Sequence, residues 1–161
     1  MGAQQSGVYI TNKSDRYTLR NPCLYLVSGR CQIPLPTKLG PSESGNTLFS
    51  GVTGRGSVGV FTYDLYDPTT DGADKKIAVM FSVPLDHRLF SNWCAVGVFD
   101  KNTNCDNALY RKMYYHNERG FVRGKADGHD LTQTFGDVTV EHSMTTFSVA
   151  THIYVYAAAN S

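Results

Sequence analysis

The sequence has almost no charge imbalance and no long apolar run, and each shortage removes a class of function. Fifteen Lys and Arg against fourteen Asp and Glu leave a formal charge of +1. That total gives no broad attraction for polyanions, and no nucleic-acid partner is expected. Nowhere do the roughly 18 apolar residues of a membrane-spanning helix run together. Met1–Ser6 lack the charged-then-apolar layout of a secretory signal. They fit M-G-x-x-x-[ST], which would expose Gly2 for acylation, as well as they fit a start with no chemical meaning.

Signatures of catalysis and metal binding are missing too. His87, His116, His129, His142 and His152 form no H-E-x-x-H or other close ligand pair, and no G-x-S-x-G elbow occurs. The glycine-rich run from Gly51 to Gly59 lacks the G-K-[ST] that cradles phosphate and reads as a turn entering a strand. Cys23, Cys31, Cys94 and Cys105 make no C-x-x-C and no zinc spacing with histidine. The chain is therefore read as a non-enzyme, with no catalytic residues, metal or cofactor. Cys23 with Cys31, and Cys94 with Cys105, pair only if strand geometry brings them close. Neutral buried thiols fit the spacing equally, and the redox compartment stays open.

What is present points to β-structure. Short β-branched and aromatic runs alternate with turn clusters, the pattern of a sandwich or barrel. Strands are expected at Gly7–Thr11, Leu24–Val27, Thr47–Phe49, Val58–Tyr66, Ile77–Val83, Trp93–Phe99, Phe121–Val122, Val138–Glu141 and Phe147–Tyr156. In the last, Phe147, Val149, Thr151, Ile153 and Val155 share the packing face, opposite a mixed face of Ser148, Ala150, His152, Tyr154 and Tyr156. One segment reads as helix: Asp106 follows other capping residues, and Asn107–Tyr115 contains no Gly or Pro. Leu109 and Met113 would meet the sheet, tilting Tyr110 and Tyr114 outward. The length fits a tail at 1–6 followed by one mainly all-β domain at 7–161.

Two segments carry recognisable chemistry. Pro84 cannot donate to a ladder, so it ends a strand and opens an exposed loop running to Trp93. The helix brings Tyr110, Tyr114 and Tyr115 nearby. Aromatic faces attract a quaternary ammonium by about 0.5–2 kcal/mol per ring, and hydroxyls such as that of Ser82 bind phosphate. Taken alone, a helix packed by its tyrosines explains the same residues.

The blocks F-S-V-P-x-D…S-N-W at Phe81–Trp93 and L-Y-x-x-M-Y-Y at Leu109–Tyr115 resemble the actinoporin family of pore-forming cytolysins. So do Gly7–Asn12, Leu26–Gly29, Thr47–Gly51 and Gly56–Val60, all in the family's order. The resemblance implies a β-sandwich flanked by helices and a secreted protein that attaches peripherally to membranes, recognises phosphocholine or sphingomyelin headgroups and associates with itself there. Its headgroup site falls on Ser28, Val58, Ser82, Pro84, Phe90, Tyr110, Tyr114 and Tyr115, and its membrane-contacting residues on His87, Leu89 and Trp93.

The likeness has departures. Phe90 stands where the family usually has Tyr, removing one hydroxyl whose hydrogen bond is worth about 0.5–1.5 kcal/mol. His87, Leu89 and Cys94 stand where membrane-pressing aromatics are common, Val27 replaces an Arg, and Arg123-Gly124-Lys125 replaces R-G-D. Only Met1–Ser6 precede Gly7, less than two turns of helix, whereas the family carries an amphipathic pore helix there. The expectation is a membrane binder without its own pore element. The rival reading is a sugar-binding module of the same fold, for which Asp86, Asn92 and Asn107 supply polar groups.

Overall fold

Alternating side chains along β-strands need a second surface to bury their apolar faces, and here two six-stranded sheets supply it for each other. The computed structural model describes residues 5–52, 54–84, 92–125, 129–144 and 150–158. In chain order the elements are β1 (Gln5–Asn12), β2 (Thr18–Ser28), β3 (Arg30–Ile33), β4 (Lys38–Leu39), β5 (Ser44–Ser50) and β6 (Ser57–Asp67). Then come β7 (Gly72–Val83), β8 (Trp93–Asp100), α1 (Asn107–Tyr115), β9 (Phe121–Lys125), β10 (Leu131–Phe135), β11 (Val138–Met144) and β12 (Ala150–Ala157). The first sheet runs β10-β11-β12-β1-β5-β3 and the second β4-β2-β6-β7-β8-β9. β1 lies parallel to β12, so the ends of the described chain are joined in one sheet.

The main core lies between the sheets. Phe61, Tyr63 and Leu65 of β6 and Ile77, Val79 and Phe81 of β7 meet Val8, Ile10, Phe49, Val140, Ile153 and Val155 from the first sheet. Residues one position out of phase on β6, β7 and β8 should face water, yet Val60, Ala78, Met80 and Ala95 are buried as well. They form a second core under α1, with Leu109, Tyr110, Met113 and Phe121. Burial on both faces explains why β6 and β7 read as nearly unbroken apolar runs rather than alternating ones.

The Asp106 carboxylate accepts the Leu109 N–H at 3.0 Å and caps α1, and the His116 N–H donates to the Lys112 carbonyl at 3.1 Å to close it. At the end of the sandwich away from the site, Arg16 reaches Asp67 at 2.9 Å and Asp137 at 2.8 Å. The Tyr17 hydroxyl donates to Asp137 as well.

The helix lies where the sequence places it, and the all-β sandwich with one short helix is the fold observed. Differences are local. β2 begins at Thr18 rather than Leu24, because a bulge at Asn21, with φ 53°, takes Pro22 out of the ladder and pairing resumes at Cys23. β3, β4 and β10 were not anticipated: each is short or polar, and each sits at or beside a sheet edge where no apolar alternation is required. Phe147 and Val149 lie outside the described residues, while Ile153 and Val155 pack inward as expected. Tyr110 is a correction. It is 8% exposed rather than tilted outward, because α1 lies flat enough to press it against the second core.

The two alternatives left open for the cysteines are decided in favour of thiols. Neither Cys23 with Cys31 nor Cys94 with Cys105 forms a disulfide, and all four keep their thiols. Cys31 Sγ contacts the Ile33 carbonyl at 3.2 Å, and Cys94 Sγ lies 3.7 Å from His142 Nδ1.

Candidate functional site

Four strands of the second sheet bring distant sequence positions into one transverse row. Ser28 on β2 is the register partner of Val58 on β6, Val58 of Ser82 on β7, and Ser82 of Trp93 on β8. Trp93 in turn partners Lys125 on β9. Side chains in such a row share a face, and this face is the one α1 covers, at its C-terminal end. The Ser28 hydroxyl donates to the Gly56 carbonyl at 2.7 Å, tying the β2 end to the loop before β6. Gly56 has a packing reason: a Cβ there would run into the Val83 carbonyl and the backbone of Pro84, so only glycine lets that loop close against the end of β7.

α1 lays three tyrosines over the row. Tyr110 and Tyr114 stack with centroids 5.7 Å apart and planes 24° from parallel. Tyr114 and Tyr115 meet edge to face at 4.7 Å and 74°, leaving a corner between two nearly perpendicular rings. Trp93 approaches Tyr114 at 6.4 Å. Burial grades across the cluster: Tyr110 is buried, Tyr114 half-buried and Tyr115 61% exposed. The cluster therefore has an inner end and a wet one.

Arg123 on β9 completes the arrangement. Its guanidinium lies 4.4 Å from the Trp93 ring centroid and 6.0 Å from that of Tyr114, and its buried Nε has no hydrogen-bond partner among the described residues. The sequence marks Arg123 only as the first residue of the Arg123-Gly124-Lys125 run and gives it no place here. Arg123 pairs with Ala95, two residues along β8 from Trp93, so its place beside the tryptophan depends on strand pairing, and no local motif signals it. On the wet side, Arg111 lies 5.7 Å from the Tyr115 ring.

Electrostatics favours neutral hydroxyls at the inner end. Burial first, then the charges of Tyr114 and Tyr115, push the Tyr110 hydroxyl up to about 12, while a hydrogen bond with Ser82 works the other way. Tyr110 therefore keeps its proton throughout the physiological range and can donate it to an anion. A guanidinium with a spare N–H, two hydroxyls and a corner of ring faces are the groups that a zwitterion of phosphate and quaternary ammonium needs.

Of the residues singled out in the sequence, Ser28, Val58, Ser82, Trp93, Tyr110, Tyr114 and Tyr115 converge on this face, with Pro84 following the end of β7. Phe90, His87 and Leu89 lie outside the described residues. Cys94 is no part of an exposed cluster: it is 3% exposed and its thiol points between the sheets toward His142. Strand alternation turns Cys94 inward because Trp93 beside it faces α1.

Comparison with known proteins gives consistent matches. The family model described as "Sea anemone cytotoxic protein" matches residues 4–151. DELTA-alicitoxin-Pse1b of Phyllodiscus semoni is 34% identical over 98 residues, covering 58% of this chain and 40% of the toxin. Bryoporin of Physcomitrium patens is 35% identical over 102 residues, 61% of this chain and 53% of its own. Nigrelysin of Anthopleura nigrescens is 29% identical over 140 residues, 83% of this chain and 60% of its own. The matched stretches thus span only 40% to 60% of these three relatives. Among solved structures, the lipid binding protein Nakanori superposes with a TM-score of 0.68 over 99% of this chain and 72% of that one, at 13% identity, a likeness of fold.

Proposed function

The chain belongs to the sea anemone cytotoxic protein, or actinoporin, family, and from that premise we propose that it attaches to membrane surfaces by binding phosphocholine headgroups of phosphatidylcholine and sphingomyelin. The observation that carries the reading is the Ser28–Val58–Ser82–Trp93 row roofed by Tyr110, Tyr114 and Tyr115. The choline cation enters the corner between the Tyr114 and Tyr115 rings, where the negative ring faces attract it and the wet side admits it. The phosphate lies deeper, against the Ser82 and Tyr110 hydroxyls and the free Nε of Arg123. Two opposite charges separated by a few bonds thereby meet two different surfaces, which favours a zwitterionic headgroup over a plain anion.

Trp93, with His87 and Leu89 from the same sequence motif, meets the membrane interface once the headgroup is seated. Headgroup binding draws on Ser82, Tyr110, Tyr114, Tyr115 and Trp93, all of them among the described residues. Among the described residues no helix is long and apolar enough to cross a membrane.

Phosphocholine titrated into the chain, followed by NMR shifts, together with cosedimentation with sphingomyelin–phosphatidylcholine vesicles, tests the reading. Shifts should cluster on α1 and the ends of β7, β8 and β9. Tyr114→Ala combined with Tyr115→Ala should abolish both signals. Shifts confined to another face, or a double variant that binds like the parent, overturn the site, and binding to a simple glycan in place of phosphocholine transfers the case to a sugar-binding module.

A further inference from the structure

Beside the N-terminus of α1, remote from the tyrosine corner, two thiols that are 82 residues apart in sequence meet. Cys105 Sγ lies 3.3 Å from the Cys23 carbonyl oxygen, and Cys23 Sγ lies 4.0 Å from the Cys105 carbonyl oxygen. Each sulfur thus lies against the other residue's backbone carbonyl. This reciprocal contact requires the closely apposed backbones that a disulfide spans. From this geometry we infer that Cys23 and Cys105 are an oxidisable pair, a modification site at which a peroxide closes a disulfide between β2 and the approach to α1.

The surroundings divide the labour between the two sulfurs. Cys23 is exposed and open to a dissolved oxidant, whereas Cys105 is half-buried, its Sγ also 3.8 Å from the Val60 carbonyl. Burial, followed by hydrogen bonding to and charge on Cys23, pushes the Cys105 thiol up to about 12. The exposed sulfur therefore reacts first. Cys23 displaces water from hydrogen peroxide, breaking the O–O bond and becoming a sulfenic acid. The Cys105 sulfur then attacks the Cys23 sulfur: the S–S bond forms, the S–O bond breaks, and hydroxide leaves with the Cys105 proton as water. The two thiols together lose two electrons and two protons, and the peroxide is reduced to two waters.

The other cysteines serve as internal controls. Cys94 is buried against His142, and Cys31 lies on β3 in the opposite sheet. The linkage would act on the helix that bears the site, because Cys105 directly precedes the capping residue Asp106. Fixing that residue to β2 restrains the first turn of α1 without touching Tyr114 or Tyr115.

The test treats the full chain with hydrogen peroxide, alkylates the remaining thiols and maps peptides by mass spectrometry. The expected product is one intramolecular Cys23–Cys105 linkage, lighter by two hydrogen atoms, with Cys31 and Cys94 still alkylated. Closing so long a loop should raise Tm by about 10 °C, reversibly on adding dithiothreitol. Amide exchange at the start of α1 should slow in step. Cys105→Ser should leave Cys23 to stop at sulfenic or sulfinic acid, with no rise in Tm. Three results overturn the inference in the unmodified chain, where misfolding of a variant plays no part: Cys23 oxidised beyond sulfenic acid while Cys105 stays reduced, Cys23 joined to Cys31 or Cys94, or a linkage only between two chains.

Discussion

The Arg123 guanidinium lies 4.4 Å from the centroid of the Trp93 ring, and among the described residues its buried Nε has no hydrogen-bond partner. A buried donor without a partner costs the fold roughly 1–3 kcal/mol, a cost that an incoming anion would remove. Arg123→Gln should therefore weaken vesicle binding by about 10- to 100-fold, the loss of one charge-assisted hydrogen bond, while barely lowering Tm. The loss should shrink as salt is added, because a partly exposed charge is screened. Cosedimentation across a salt series with the parent and the variant measures it, and equal binding would remove Arg123 from the site.

Met113 and Tyr115 should separate stability from binding. Met113 is 0% exposed beneath α1, and Met113→Ala should cost about 2–5 kcal/mol in urea unfolding and weaken binding by loosening the helix. Tyr115 is 61% exposed, so Tyr115→Ala should leave the urea midpoint nearly unchanged and still weaken vesicle binding several-fold. Opposite patterns in the two variants would mean that the tyrosine corner is packing alone.

His142 should govern stability in mild acid. Burial pushes it from its ordinary 6.5 down to about 4, so the folded chain holds it neutral while the unfolded chain takes up a proton. Its contribution is complete above about pH 6.5 and is lost as pH falls toward 4, to a total on the order of 3 kcal/mol. Unfolding free energies measured at several values from pH 7 to pH 4 should decline in the parent and stay flatter in His142→Gln. Tyr110 acts at the other extreme with the opposite sign: its raised value means stability that is intact below about pH 10 and lost as pH climbs toward 12.

Local chemistry was enough to place α1. Asp106 caps, Asn107–Tyr115 contains no breaker, and Leu109 and Met113 four residues apart face the sheet as their spacing requires. The strands of both cores were legible for the same reason, since runs such as Val58–Tyr66 announce burial without reference to any partner. Edge strands β3, β4 and β10 were not, because an edge needs no apolar pattern to pair. The motifs around Ser82 and Tyr110–Tyr115 also named, from sequence, residues that the fold brings onto one face.

The sequence by itself thus determined the core strands, the helix span, the family resemblance and the aromatic inventory of the site, all of them properties of neighbouring residues. Tertiary structure alone decided that Ser28, Val58, Ser82 and Trp93 stand in one row, that Arg123 lies over Trp93, that Tyr110 is buried, and that Cys23 meets Cys105. Each of these rests on which residues face each other across hydrogen-bonded strands, or on how a helix seats on a sheet. A one-residue slip in register would send every side chain of a strand to its other face. Bulges such as that at Asn21 shift the register where no periodicity records it, so those relationships exist only once the sheets have closed on each other.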